Sequence, residues 1–189
     1  VVVAGMGDPV ESGFVASLAR PGGNITGFSN QAEDFAGKWV QLLSEAAPKS
    51  LRIAVLAVSQ TLSHRTYWAE IQATAQSLKI VPQRYELGSA AEIEGVFASF
   101  IKGRAQGLIV LPNFVTIERR KQIVQLAEKH RLPAIYPFSL FVEAGGLMSY
   151  GTSLADLHRR AAAYVDKLLR GAKAADLPVE HPTKFDLII

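Results

Sequence analysis

The chain has 189 residues, of which 49% are hydrophobic and 20% charged, and its formal net charge is +3. This length suffices for one sizeable α/β domain, or for one domain and part of another. The absence of cysteine excludes disulfides, thiol catalysis and cysteine-based metal sites. The densest basic run, Arg119 to Lys121, falls in a predicted helix. A solvated helix face is therefore favoured there, and no nucleic-acid partner is expected.

The first thirty residues predict a strand, a helix and a second strand. Residues 1–4 form a short β-branched run, and Asp8 precedes Pro9 as an N-cap precedes the first helical position. The helix is expected to run through Leu18 and to end at the Pro-Gly-Gly sequence of residues 21–23. Residues 24–29 predict the second strand.

A regular alternation of strands and helices follows a helix predicted over residues 35–46. The predicted strands are 51–58, 80–87, 105–111, 134–136 and 147–150. The predicted helices that follow them are 64–78, 90–102, 117–130, 140–144 and 155–170. This pattern indicates an α/β fold with a doubly wound, parallel five-stranded sheet, because right-handed crossovers place helices on both faces.

Ligands of such sheets bind at the carboxyl ends of strands, where the strand order reverses. With the common order 2-1-3-4-5, that point lies between the first and third strands of the series. The loops there are rich in hydroxyl and amide groups, and the loop after the fourth strand adds aromatic rings. The candidate ligand-binding residues in these loops are Ser59, Gln60, Thr61, Asn113, Phe114, Tyr136 and Phe138. Thr116 and Ser153 are expected to be helix N-caps, and Asn113 is expected not to be one.

Sequence motifs for catalysis or cofactor binding are weak. Residues 5–10 begin like a dinucleotide fingerprint, but Val10 replaces the third glycine. The four histidines show no metal-ligand spacing, and residues 27–31 lack the second glycine of a nucleophile elbow. We therefore expect no catalytic residues, no metal and no cofactor, and a protein that is not an enzyme.

Several motifs in order resemble the ABC-transporter substrate-binding family that includes tryptophan- and tyrosine-type receptors. The matching segments are residues 7–10, 16–27, 130–136, 141–151, 159–167 and 177–180. The resemblance implies a two-lobed, type I periplasmic-binding-protein-like fold that closes on a small solute about a hinge near residues 27–31 and 177–182. It also implies that Gly7 and Asp8 join the candidate loops in one cleft. Relatives usually carry an Asn-Pro loop where this chain has Ser59, Gln60 and Thr61.

The function implied is capture of a small solute, such as an aromatic amino acid, for delivery to a membrane permease. The implied location is periplasmic or otherwise extracytoplasmic. Two alternatives stay open from the residues alone, namely an effector-sensing domain of a transcription regulator and an α/β enzyme.

The family resemblance and the order of the predicted elements divide the chain into three segments. Residues 1–30 are a part of the first lobe, residues 31–178 form the complete second lobe, and residues 179–189 return to the first lobe. The chain opens on a strand without a signal-peptide pattern. The resemblance implies a first lobe that begins well before Val1, so most of that lobe is expected to be missing here. Because strand edges and apolar side chains left open tend to pair with another chain, we expect the truncated chain to form a homodimer.

Overall fold

The computed structural model of the chain describes residues 1–31 and 35–189. It separates into two compact units. The small unit comprises Val1–Glu33 and Thr152–Phe185, and the sheet unit comprises Asp34–Gly151 and Asp186–Ile189. Among the described residues no helix combines the length and apolarity that crossing a membrane requires.

The sheet unit is built on a six-stranded sheet, in which the strands from β3 to β7 are parallel and helices lie between them in the chain. Its strands are β3 (Arg52–Val58), β4 (Val81–Leu87), β5 (Gly107–Val110), β6 (Ala134–Tyr136), β7 (Met148–Thr152) and β8 (Phe185–Ile188), in the order β4-β3-β5-β6-β7-β8. Its helices are α1 (Phe35–Ala46), α2 (Ser63–Ser77), α3 (Ile93–Lys102), α4 (Phe114–Glu118), α5 (Arg120–Lys129) and α6 (Ser139–Val142). The predicted order 2-1-3-4-5 of the first five strands is thus confirmed.

The core of the sheet unit forms because its central strands are apolar on both faces. β5 and β6 are buried at every position, and β3 is buried from its second residue onward. Trp39 of α1 is fully buried, and its ring contacts Phe35 and Tyr67. Its indole Nε1–H donates to the Tyr150 carbonyl at 2.7 Å, so the one polar atom of the ring has a partner.

The small unit contains two parallel strands, β1 (Val2–Met6) and β2 (Thr26–Ser29), and the helix α7 (Leu154–Leu169). Phe28 of β2 forms a buried cluster with Leu157 and Tyr164 of α7. Leu157 and Tyr164 are seven positions apart and therefore lie on one helix face. A second cluster joins Met6, Val15 and Val179.

Three details differ from the sequence-based expectations. The helix predicted after Asp8 does not form, and residues 9–13 are turns. The Asp8 carboxylate does accept from the Val10 and Glu11 N–H groups at 2.9 Å, as a cap would. The chain then leaves the helical path at Gly13, whose φ is +72°. Gly13 therefore ends the segment after one turn.

The other two differences concern which unit a segment joins. β8 lies beside β7 in the larger sheet, whereas residues 179–189 were expected to return wholly to the first lobe. β7 would otherwise be an edge with unpaired backbone groups, which β8 covers. α7 packs on β1 and β2 in the small unit, although residues up to 178 were assigned to the second lobe. The apolar face of α7 decides this, since its buried residues meet Phe28.

Candidate functional site

The loops that follow β3 and β5 meet at the predicted switch point of the sheet unit. The Asn113 amide Nδ2 donates to the Thr61 hydroxyl at 3.0 Å, which joins residues 52 positions apart in the chain. β3 and β5 are neighbours in the sheet, so their carboxyl ends bring these loops together. Two of the candidate residues are thereby in direct contact.

Asn113 also caps helix α4, which corrects the expectation that it is not a cap. Its side-chain Oδ1 accepts from the Val115 N–H at 2.8 Å. The Thr116 hydroxyl, in turn, accepts from the Asn113 N–H at 3.2 Å, which completes a capping box. Thr116 is therefore the third residue of the helix rather than its N-cap. Ser153 does occupy an N-cap position, before α7, but its side chain makes no capping hydrogen bond.

A buried histidine that the sequence did not single out fixes the same two strand ends. His64 Nδ1 accepts from the Val58 N–H at 3.2 Å, and Nε2 lies 3.0 Å from the Pro112 carbonyl oxygen. The first contact requires an unprotonated Nδ1, so Nε2 carries the hydrogen and donates to Pro112. Burial lowers the pKa of His64, chiefly by desolvation of the charged form. The sequence feature that could have identified His64 was its position in the first turn of a helix that follows a strand.

The remaining candidates of the β3 loop are more open. The Ser59 hydroxyl donates to Glu86 at 3.1 Å, and Glu86 also pairs with Arg84 at 2.9 Å. Gln60 is exposed and adopts a left-handed backbone with φ of +63°. This conformation is uncommon for a residue other than glycine, and such residues are concentrated at functional sites.

The three aromatic candidates have different environments. Phe114 is 78% exposed at the start of α4, so its ring is available to a ligand. Phe138 is buried. Tyr136 is 1% exposed and stacks on Phe141, with ring centroids 4.8 Å apart and planes 11° apart. Burial raises the pKa of Tyr136, as expected for a ring in the core.

The candidates of the small unit, Gly7 and Asp8, lie between β1 and the turns that follow it. The Gly7 carbonyl accepts from the Ser29 hydroxyl at 3.0 Å. Sequence reasoning missed two further groups of this unit. The side-chain oxygens of Asn30 and Gln31 are buried and have no hydrogen-bond partner within the described part of the chain. A buried acceptor without a donor is costly, which marks these oxygens as places where a donor from a ligand would be favourable.

Metal binding has no support in the described residues, which contain no group of three or more His, Asp or Glu placed to hold an ion. The polar groups at the strand ends are hydroxyls, amides and carbonyls. Such groups recognise a solute by hydrogen bonding.

Comparison with known proteins places this arrangement in a family. A tyrosine-binding protein of Clostridioides difficile (strain R20291) is 22% identical over 189 residues, which are all of this chain and 54% of that protein. The ABC domain from Streptococcus pneumonia, solved in complex with L-Trp, is 25% identical with a TM-score of 0.89 over the whole chain and 65% of its own. A conserved domain protein from Vibrio cholerae is 21% identical, with a TM-score of 0.89 over the whole chain and 62% of its own.

The chain thus spans about half the length of the curated relative and less than two thirds of these solved chains. Its fold is that of the type I periplasmic-binding-protein-like proteins. The family profile described as "ABC transporter substrate binding protein" matches residues 1–189. The chain therefore belongs to the ABC transporter substrate-binding protein family.

Proposed function

We propose that this protein is the solute-binding component of an ABC importer. It binds an aromatic amino acid in the extracytoplasmic space and delivers this amino acid to a membrane permease. The observation that carries this proposal is the family match over the whole chain. The tyrosine-binding relative and the L-Trp complex support the choice of an aromatic amino acid. The same match disfavours a transcription regulator, whose likeness to this chain is one of fold.

In the sheet unit, the loops after β3 and β5 supply the chemistry that such a solute requires. Thr61 and Asn113 form a polar pair, and the exposed ring of Phe114 adjoins Asn113 in the chain. An aromatic side chain can stack on a ring of this kind, with a gain of about 0.5–1.5 kcal/mol beyond surface burial. Amide and hydroxyl groups orient the amino-acid backbone.

In the small unit, the unpartnered oxygens of Asn30 and Gln31 suit a hydrogen-bond donor of a ligand. Both are carbonyl acceptors, and Gln31 is 9% exposed. A ligand ammonium group carries three donors and would satisfy acceptors of this type. Replacing Asn30 or Gln31 by Leu should therefore weaken amino-acid binding while leaving folding unimpaired, since each substitution removes an unsatisfied buried oxygen.

Nuclear magnetic resonance titration tests the proposal, because chemical shifts report weak as well as tight binding. L-Trp and L-Tyr should shift the amide signals of residues 59–61 and 113–114, whereas L-Leu at equal concentration should shift them less. Phe114→Ala should weaken binding of L-Trp about tenfold, since it removes the stacking ring. Phe14→Ala, which removes an exposed ring of the small unit, is the matched control.

Asn113 needs a pair of variants, because it caps a helix as well as contacting Thr61. Asn113→Asp retains the capping oxygen but loses the Nδ2 donor and adds a negative charge. It should fold like the parent and bind a carboxylate-bearing solute more weakly. If no aromatic amino acid shifts any of these signals, or if Phe114→Ala and Asn113→Asp bind like the parent, the proposed site is wrong.

The small unit also supports the proposal of a homodimer. Val1, Val10 and Phe14 are exposed there, and β1 pairs with β2 on one side. A parallel strand pair with exposed apolar neighbours favours association with a second copy. Sedimentation at tens of micromolar should show a dimer that Phe14→Glu converts to monomer. A monomeric parent chain would contradict this part of the proposal.

A further inference from the structure

Seven exposed cations lie at the edge of the sheet unit where the strands begin. We call this set the basic edge. It comprises Lys49, Arg52, Lys79, Lys102, Arg104, Lys129 and Arg131. They belong to the connections that enter β3, β4, β5 and β6, which are adjacent and parallel. Four adjacent strands span about 15 Å at roughly 4.8 Å per strand, so the cations form a row along one edge.

The basic edge has little neutralising charge. The connecting residues 47–51, 78–80, 103–106 and 130–133 contain no Asp or Glu. The acids nearest to these four connections along the chain are Glu45, Glu86, Glu94 and Glu128. Of these, Glu94 lines a groove together with Lys129. Within the described residues, none of the seven cations takes part in an ion pair. Their charges are therefore available to an anionic partner.

Three of these cations occupy backbone positions that favour glycine or asparagine. Lys79, Arg104 and Arg131 have φ of +57°, +56° and +53°. Each follows the end of a helix, and its N–H donates to the carbonyl three residues earlier, as in Lys79 to Gln76 at 3.2 Å. Cations stabilise the carboxyl ends of helices. In α3 and α5, Lys102 and Lys129 provide this stabilisation from ordinary helical positions in the last turn. Helices α3 and α5 therefore do not require the left-handed Arg104 and Arg131 for this purpose, whereas α2 has no basic residue in its last turn before Lys79.

Apolar side chains are interspersed with these charges. Leu51, Leu78, Val81, Ile101 and Leu147 are all substantially exposed at the same edge. Two open grooves of about 330 and 510 Å³ also lie there, and both are lined by Arg131 and Pro133. Exposed aliphatic residues beside basic ones are typical of surfaces that lie in a lipid headgroup layer.

We propose that the basic edge docks on the surface of a bilayer that contains anionic phospholipids. Lipid phosphates would contact the seven cations, and the aliphatic side chains would enter the headgroup region. The charges are distributed along the edge rather than gathered in one cleft, which fits a planar partner better than an acidic peptide. The opposite edge of this unit has mixed charge, including the Arg84–Glu86 pair and Glu118 beside Arg119. This inference does not depend on the proposed function.

Vesicle co-sedimentation tests the proposal directly. The chain should bind vesicles of phosphatidylglycerol and phosphatidylcholine but not vesicles of phosphatidylcholine alone, and binding should fall as NaCl is raised from 0.05 to 0.5 M. The triple variant Lys79→Asn, Arg104→Asn, Arg131→Asn removes three charges. Asparagine tolerates the left-handed backbone, so the fold should be kept. The expected loss of vesicle affinity is on the order of 100-fold.

The matched control is Arg65→Asn, Arg119→Asn, Lys121→Asn, which removes three exposed cations near helix starts. It should bind within about threefold of the parent chain. The proposal is overturned if the parent does not bind anionic vesicles, or if both triple variants lose affinity equally. Tight binding to soluble polyglutamate without binding to vesicles would also overturn it, and would indicate an acidic protein partner. Thermal unfolding of each variant confirms that folding is unchanged.

Discussion

Both units of this chain contain parallel strands, but the two units differ in how many neighbours a strand pairs with and in how deeply it is buried. In the sheet unit, β3 has β4 on one side and β5 on the other, and its side chains are buried from Ile53 onward. In the small unit, β1 pairs with β2 alone among the described strands, and four of its five residues are only partly buried. Burial of apolar surface is the main stabilising contribution to folding, so the two units should differ in stability.

The difference shows where each unit obtains its stability. The sheet unit relies on a continuous apolar core. The small unit relies on one helix face and on a polar network in which Glu180 accepts from the Tyr164 hydroxyl at 2.6 Å and pairs with Arg160. The Arg160 guanidinium also lies 4.7 Å from the centre of the Phe28 ring. Partly exposed polar contacts of this kind contribute less than core packing.

The largest expected effect comes from the core of the sheet unit. Trp39→Ala removes a fully buried ring and leaves the Tyr150 carbonyl without its indole donor. The free energy of unfolding should fall by about 3–5 kcal/mol. Urea denaturation followed by circular dichroism measures it. Trp68→Ala is the matched control, since Trp68 is only partly buried. An equal loss in both variants would contradict the packing described around Trp39.

The next effect concerns the strand pair of the small unit. Gly27 has φ of +138°, and a Cβ there would lie 2.0 Å from the Val3 carbonyl oxygen. Gly27→Ala should therefore separate β1 from β2 at a cost of roughly 2–4 kcal/mol. Hydrogen exchange should show lost protection in β1 and β2 with β3 and β5 still protected. Gly23→Ala, where a Cβ would meet nothing within 4 Å, is the control. Simultaneous loss of protection in both units would show that they unfold as one.

Acid should affect the sheet unit through His64. Because burial lowers the folded-state pKa of His64 below its ordinary value of 6.5, the unfolded chain binds the proton more readily. Stability is then complete above pH 6.5 and falls as the pH decreases below it, by at most about 1.4 kcal/mol per pH unit. Denaturant titrations between pH 5 and 8 measure the slope. His64→Gln should abolish it, and exposed His158→Gln should not.

A smaller acid effect is expected in the small unit. The Tyr164 hydroxyl and then the Arg160 guanidinium hold the pKa of Glu180 below its ordinary value of 4.5. The stability it contributes is therefore present above pH 4.5 and lost as the pH falls further. Since Glu180 is more than a third exposed, the loss should not exceed about 1 kcal/mol. Glu180→Gln should remove this acid dependence, whereas Glu11→Gln, in the same unit, should leave it intact. If Glu180→Gln keeps the full dependence, another carboxylate is responsible.

Local signals predicted the sheet unit better than the small unit. Helix α1 and strand β6 occur at the predicted residues, and the other elements of the series differ from prediction mainly at their ends. In the small unit the Asp8–Pro9 start signal was correct in its hydrogen bonding but led to turns, because Gly13 follows within five residues. A cap begins a helix only when the next residues can continue it.

The candidate site was predicted at the level of loops rather than of side chains. The strand order placed the segments after β3 and β5 together, and the Thr61–Asn113 hydrogen bond lies where those segments meet. The role of Asn113 as a cap and that of His64 as a link between Val58 and Pro112 were not predicted. Neither role can be recognised from the spacing of residues in the sequence, because each depends on residues that the strand order brings together.

The sequence by itself determined the alternation of strands and helices in the sheet unit, the parallel sheet and the family, because hydrophobic periodicity and motif order are properties of neighbouring residues. The tertiary structure decided that β8 joins the larger sheet, that α7 packs on Phe28, and that the cations of four separate connections form one edge. These outcomes depend on which apolar faces and strand edges find partners across the fold. Side-chain packing and backbone pairing between residues far apart in the chain decide which partners these faces and edges have.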